Sequence, residues 1–149
     1  MICLIDLLAT CAEVVGAPLP ESVGEDSVSF LPALRGGKGG RQSLVSHSIA
    51  GHFAIRRGNL KLCLTPGSGG WSAPRPGSPG EKDLPPVQLY DLSSDPGEKR
   101  NLASEQAETA RDLTALLEEQ MRNGRSTPGP PQTNTVEVKI RKDAAKNNR

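Results

Sequence analysis

From Ile2 to Val15 the only polar positions are Asp6, Thr10 and Glu13, spaced by four and then three residues. On a helix of 3.6 residues per turn that spacing makes one narrow polar stripe, and everything around it is apolar or small. The pattern predicts a helix over Ile2 to Val15 whose apolar circumference belongs deep inside a protein, and since little else in this chain could cover it, exposed hydrophobic surface is expected of the chain by itself. Gly16 suits the left-handed cap, with Pro18 and Pro20 just beyond. Phe30 to Leu34 reads as a short apolar helical turn. The period then falls to two. Val45, His47 and Ile49 share one face, and Phe53 and Ile55 continue the alternation. Arg57-Gly58-Asn59-Leu60 fits a two-residue hairpin turn with Gly58 at the first central position, where a type II′ turn needs positive φ. Leu60, Leu62 and Leu64 return on one face, with Lys61 and Cys63 on the other.

Val87 to Tyr90 resumes as a strand, and Asp95-Pro96-Gly97 makes a turn. Ser104 is the expected N-cap of a second helix, with Glu105 and Glu108 in its first turn. Ala107, Ala110, Leu113, Leu117 and Met121 follow at helical spacing, Leu116 widens the stripe, and Gly124 closes it. Val136 to Ile140 alternates like an edge strand, and the residues from Arg141 on read as a polar frayed tail. The fold class is therefore α+β: an apolar helix, antiparallel strands, then one amphipathic helix needing one apolar surface.

Length and composition narrow this further. A chain of 149 residues suits one ordinary domain or less. It carries 16 Gly and 13 Pro but only 3% aromatic residues, which predicts a modest core with long loops. The longest, Pro66 to Pro86, has no hydrophobic period and surrounds the single Trp71. Gly36 to Gly40 is a second loop, and RSTPGPPQTN after Gly124 reads as extended and solvated. A net charge of +1 gives no global field toward nucleic acid or a membrane surface, so neither is an expected partner. The N-terminal run lacks a basic start, is interrupted by Asp6 and Glu13, and is too short to span a bilayer, so neither a signal peptide nor an anchor is expected. Cys3 and Cys11 lie eight residues apart on the first helix, about 12 Å along its axis and beyond bridging distance. The three Cys are read as reduced, mostly buried thiols.

Chemistry-bearing motifs are scarce. His47 and His52 lack partners at ligand spacing, so no metal is expected in this chain. GGKGG at Gly36 to Gly40 lacks the order of a phosphate-binding loop, and GSGGWS lacks the third Gly of a dinucleotide fingerprint. No G-x-S-x-G elbow is present. Arg35, Lys38 and Arg41 read as a solvated loop, since no aromatic residues are interleaved.

The order of segments is more specific than any of these. IDLLATCAEVVGAPLP, GEDSVSFLPALRG, SLVSHSIAGHFAIRRGNLKLCLTPGSGGW, LPPVQLYDLSSDPGEKRNLA and GRSTPGP together resemble the C-terminal part of arylsulfatases, in the type I, formylglycine-dependent sulfatase family. The resemblance runs from about Ile2 to Thr135, and LYDLxxDPxExxNLA is its most telling piece. AIRRGNLKL resembles the family hairpin, with Leu60 where Trp is common.

The resemblance implies a sheet of about four antiparallel strands packed against one C-terminal helix, preceded by an apolar helix left from an α/β catalytic domain. It divides the chain into residues 1–36, the terminal helix and connection of that domain; 37–124, the subdomain; and 125–149, an extended, partly disordered tail. It also implies a calcium ion and a formylglycine made from the Cys or Ser of C-x-P-x-R, all in the N-terminal domain. None of Cys3, Cys11 and Cys63 has Pro two residues on, and the paired-Asp calcium site is not found, so no catalytic residue carries over. Substrate contact does, in expectation. The loop after the family hairpin lies near the active-site mouth and corresponds to Gly67 to Ser72, which makes Ser68 and Trp71 candidates, with His47 as the other. The function expected is a C-terminal sulfatase fragment, inactive alone, whose partner is the N-terminal sulfatase domain. The alternative is a non-catalytic module for a sulfated carbohydrate or a partner chain. Family members are usually periplasmic, secreted or lysosomal.

Overall fold

The computed structural model describes residues 1–141, so most of the expected polar tail lies outside the described residues. A 3₁₀ turn over Leu4–Asp6 leads into α1 (Leu7–Val15), and α2 is the short Leu31–Leu34. Four strands follow, β1 (Ser43–His47), β2 (Phe53–Arg57), β3 (Leu60–Cys63) and β4 (Gln88–Asp91), and then α3 (Ala107–Asn123). The strands form one sheet in the order β1-β2-β3-β4. β2 and β3 pair antiparallel with Arg57 opposite Leu60, and β3 and β4 with Leu62 opposite Leu89. The hairpin is the expected one: Gly58 has φ +60°, and Asn59 is not in the positive-φ region, as a type II′ turn requires. The described residues divide into two compact units, Met1–Leu44 with Glu119–Glu137, and Val45–Glu118 with residues 138–141.

The second unit holds the main core. Ile55, Leu62 and Leu89 from the sheet and Leu117 from α3 are fully buried, with Ala110 and Leu113 close behind. The period-two and period-3.6 stripes converge here as their spacing implies. β1 and β2 are separate strands. Ser48 N–H donates to His52 O at 2.9 Å and Gly51 N–H to Ser48 O at 2.8 Å, so the alternation breaks in a turn, and Ile49 is solvent-exposed there rather than on the strand.

The segment from Val87 to Ala103 is held by its own polar side chains. Asp91 accepts from Ser93 N–H at 2.9 Å and from the Ser93 hydroxyl at 2.6 Å. Asp95 Oδ2 accepts from the N–H groups of Lys99 (2.7 Å) and Arg100 (2.8 Å). Positive φ in this turn falls on Glu98 (+53°) rather than on Gly97, and Glu98 meets Lys61 Nζ at 2.6 Å. Asn101 Oδ1 accepts from Leu89 N–H (3.0 Å) and Ala103 N–H (2.9 Å), while its Nδ2 donates to Val87 O (3.0 Å). α3 starts at Ala107, three residues beyond the expected Ser104 cap. The chain first turns through Ala103 to Gln106, with Gln106 N–H donating to Leu102 O, and Asn101 organises that entry.

In the first unit the apolar surface of α1 is left uncovered, as expected of a helix that little else in this chain could cover. Asp6 and Thr10 face inward, Glu13 at the end of the stripe is exposed, and most of the apolar surface faces out. Asp6 is 1% exposed and Thr10 5%, whereas Leu4 is 83%, Val15 74% and Ile2 61% exposed, with Ile5, Leu7, Leu8 and Val14 also open to solvent. The cause is the backbone of the loop that follows. Val28 N–H donates to Asp6 Oδ1 (3.0 Å) and Phe30 N–H to Thr10 Oγ1 (3.1 Å); Ser27 Oγ donates to Ile5 O and accepts from Ala9 N–H. An irregular segment packed on a helix needs such partners for its peptide groups. Arg41, expected in a solvated loop, is buried against Asp6 instead, Nη2 to Oδ1 at 2.5 Å, and also donates to Asp26 O and Ser43 O.

Residues 125–134, expected to be solvated, are tied down as well. Arg125 donates to the carbonyls of Glu21 and Thr127, Thr127 N–H to Glu25 O, and Gln132 N–H to Asn123 O. Val136 to Ile140 forms no strand. The thiols are less buried than expected: Cys11 is exposed, and Cys3 and Cys63 are half-buried.

Candidate functional site

The second unit brings together the β1–β2 turn and the long loop after β3. Gly69 lies against His52 and Thr65, and Gly70 against Ser48. A Cβ on Gly67 would meet Pro74 O at 2.7 Å, so the loop crosses itself where only glycine fits.

The loop is braced from inside. Ser68 Oγ donates to Ser72 O at 2.6 Å and accepts from Gly70 N–H at 3.1 Å, and Ser68 N–H donates to Pro74 O. Gln88 Nε2, at the start of β4, donates to both Thr65 O (2.7 Å) and Gly67 O (2.8 Å), while Gln88 Oε1 accepts from the Tyr90 hydroxyl (2.6 Å). Glu81 Oε2 accepts from Gly77 N–H at 2.6 Å. Two oxygens in this region, Thr65 Oγ1 and Glu81 Oε1, are buried with no partner among the described residues.

Of the candidates named from sequence, Trp71 is 77% exposed, and Arg75 Nε donates to its carbonyl at 2.9 Å. His47 stands exposed at the end of β1, its ring edge-on to Phe53 with centroids 5.7 Å apart, and Nδ1 lies 3.1 Å from Ser48 O. Ser68 is at the surface with its hydroxyl bound to its own loop in both directions. Arg75 was not among the candidates. No spacing rule marks it, and only the folded loop shows it beside Trp71.

Burial pushes the Cys63 thiol up, the nearby Lys61 opposing and Glu98 adding. Among the described residues no three of His, Cys, Asp and Glu converge to hold a metal ion. These residues do not fit the calcium site that the resemblance implies. Among the described residues no helix is long and apolar enough to cross a membrane.

No family model matches the chain. Curated relatives do. It is 36% identical over 118 residues to an N-acetylgalactosamine-6-O-sulfatase of Bacteroides thetaiotaomicron, covering 76% of this chain and 22% of that protein. It is 41% identical over 110 residues to human arylsulfatase A, covering 66% of this chain and 21% of that one. A solved structure from the metabolism of multiple glycosaminoglycans by Bacteroides thetaiotaomicron superposes with a TM-score of 0.59 at 32% identity, over 76% of this chain and 24% of the other. A 2-O GAG sulfatase shares the fold, with a TM-score of 0.55 at 23% identity over 78% of this chain and 24% of that one. The chain spans about a fifth of the length of the two curated relatives described here.

Proposed function

Because the chain is a relative of the C-terminal part of sulfatases, we propose that it serves as the C-terminal subdomain of a sulfuric ester hydrolase and is catalytically silent by itself. In this reading residues 1–36 are the terminal helix and connection of an α/β catalytic domain, residues 37–124 the subdomain, and 125–149 its tail. The nucleophile and the calcium site belong to the N-terminal α/β part, in the same polypeptide or another. The loop of Ser68 and Trp71, with His47, faces the sulfated substrate, Ser68 shaping the loop and the other two touching the sugar. The ring to test first is N-acetylgalactosamine 6-sulfate, the sugar in the name of the bacterial relative.

One observation supports this most: the 3₁₀ turn and α1 turn Asp6 and Thr10 inward and leave Leu4, Leu7, Leu8, Val14 and Val15 in water. Full burial of each such side chain is worth about 1.5–3 kcal/mol, so a continuous run of them is a surface built to be covered. The occupant proposed is the apolar interior of the sulfatase α/β part. The test has two readings on the purified chain. It should not hydrolyse an aryl sulfate, and it should bind an apolar dye through α1 until Leu4, Leu8 and Val15 are changed to Gln. Measurable turnover by the chain alone would sink the proposal, as would a chain that binds no dye.

The exposed Trp71 favours a second reading, a module that binds a sulfated carbohydrate without catalysis. Retention on a sulfated matrix with no gain of activity in the presence of an N-terminal sulfatase part would select it.

A further inference from the structure

We infer that Gln88 and Tyr90 are positioning residues for the loop after β3: the Tyr90 hydroxyl holds the Gln88 amide, and that amide holds the first turn of the loop that carries Ser68 and Trp71. The inference rests on the proposal that this loop faces a sulfated substrate, and it assigns the pair the task of setting where the loop stands.

The register puts both side chains on one face. Gln88 lies opposite Cys63 and Tyr90 opposite Lys61, so they share the side of β4 turned away from Leu89 and the main core. The loop leaves β3 just beyond Cys63, which brings Thr65 to Gly67 past Gln88. Thr65 and Gly67 are buried, and among the described residues Gln88 Nε2 is the one donor to either carbonyl, at 2.7 and 2.8 Å. A carbonyl only accepts, so these two contacts fix the Nε2 end of the amide toward the loop. Oε1 is then left toward the sheet, where the Tyr90 hydroxyl donates to it at 2.6 Å.

Tyr90 anchors this chain of bonds. It is buried, and burial, with Cys63, Glu98 and Asp95 adding, pushes its phenol up, so it stays a donor through the neutral range. The bonds of the loop tip start where the amide ends. Ser68 N–H donates to Pro74 O, Ser68 Oγ donates to Ser72 O, and Gly67 sits so close to Pro74 O that no Cβ fits. A shift of Gly67 therefore moves the crossing point, and with it the segment from Ser68 to Trp71. Two buried carbonyls of one turn depend on a single amide, and a hydrocarbon at position 88 would leave both without a donor.

Hydrogen exchange on the full chain tests this at the Ser68 and Gly70 amides, with the Leu62 and Leu89 amides as the reference for the core. The variants are Gln88→Glu, Gln88→Ala, Tyr90→Phe and the double variant of the last two, and far-UV circular dichroism checks that each keeps its fold. At about pH 8 Gln88→Glu presents only acceptors to the Thr65 and Gly67 carbonyls and should accelerate exchange at the loop amides about ten- to hundredfold over the parent, leaving the core amides within about threefold. A carboxyl facing two carbonyls is raised, and as pH falls toward about 5 it regains one O–H donor, so the acceleration, taken against the parent at each pH, should shrink to below about fivefold. The other ionisable groups packed around position 88 are common to parent and variant: Lys61 and Cys63 on β3, Tyr90 on β4, Glu81 on the loop, and Asp95 and Glu98 beyond β4. Tyr90→Phe should accelerate the same loop amides about three- to tenfold, and the double variant should be no faster than Gln88→Ala alone, since both changes act through one amide. Unchanged loop exchange in Gln88→Glu overturns the inference. So does equal acceleration at the core amides, an acceleration that does not shrink with pH, or additive effects in the double variant. No sulfated ligand enters these measurements, so their outcome is independent of the turnover and dye-binding tests of the subdomain reading, and the two fail separately.

Discussion

Asp6→Asn is the most informative single change in the first unit. Four donors converge on this carboxylate. Oδ1 faces Val28 N–H (3.0 Å) and Arg41 Nη2 (2.5 Å), and Oδ2 faces Cys3 N–H (2.8 Å) and Arg41 Nε (3.0 Å). Asparagine keeps one acceptor oxygen and replaces the other with an NH₂ group. In either orientation that NH₂ meets two donors, and the guanidinium, 2% exposed, loses its counter-charge. Breaking one side of a buried ion pair costs about 3–5 kcal/mol. Hydrogen exchange at the Cys3 and Val28 amides is the direct assay, and at about 1.36 kcal/mol per decade the change should accelerate exchange by about two to four orders of magnitude. Acceleration below about tenfold would refute the idea that this pair holds α1 to the loop at residues 26–30. The pH dependence follows with a definite sign. Burial raises the carboxyl, but Arg41 and the N–H groups of Val28 and Cys3 outweigh it and hold Asp6 below the usual carboxylate range. Its contribution is therefore complete above the unfolded value of about 3.9 and is lost as pH falls through the folded one. The parent should show extra opening at Val28 below about pH 4, and Asp6→Asn should lack that part of the acid response.

Three further outcomes are expected. Asn101→Ala orphans Leu89 N–H and Val87 O and should lower the unfolding free energy of the second unit by about 1–3 kcal/mol in urea melts followed by Trp71 emission; an unchanged midpoint would contradict its role. Gly67→Ala drives a Cβ to 2.7 Å from Pro74 O; it should destabilise by about 1–3 kcal/mol and shift Trp71 emission, and a silent variant would show that the loop is free to rearrange. Exposed Cys11 should be alkylated first at neutral pH and Cys63, half-buried with its thiol pushed up by burial, last; the reverse order, read by peptide mass, would contradict the burial.

The sheet and the last helix were legible because their periods are regular and their punctuation is strong. Gly58-Asn59 places the hairpin, and Leu113 and Leu117 mark the buried face of α3. The orientation of α1 was not legible. Periodicity says that Asp6, Thr10 and Glu13 share a stripe, but not whether that stripe meets water or a neighbouring backbone. The answer lay in Val28, Phe30 and Arg41, 20 to 35 residues from their partners. The candidate loop was legible by its lack of pattern and its single Trp. The bracing by Gln88, 23 residues from Thr65, and the fold-back of Arg75 were not, because they depend on how the loop closes.

The bonds that Asn101 and its neighbours make along the outer side of β4 have a consequence for assembly. β4 ends the strand order, and such a strand ordinarily offers a row of open peptide groups as a template for another chain. Here Leu102 N–H occupies Leu89 O, the Asn101 amide occupies Leu89 N–H and Val87 O, and Asp95 N–H occupies Asp91 O. The sheet cannot grow by strand addition on that flank. A chain with a bare apolar helix would otherwise be at risk of fibril growth, and this seal leaves association along β4 closed.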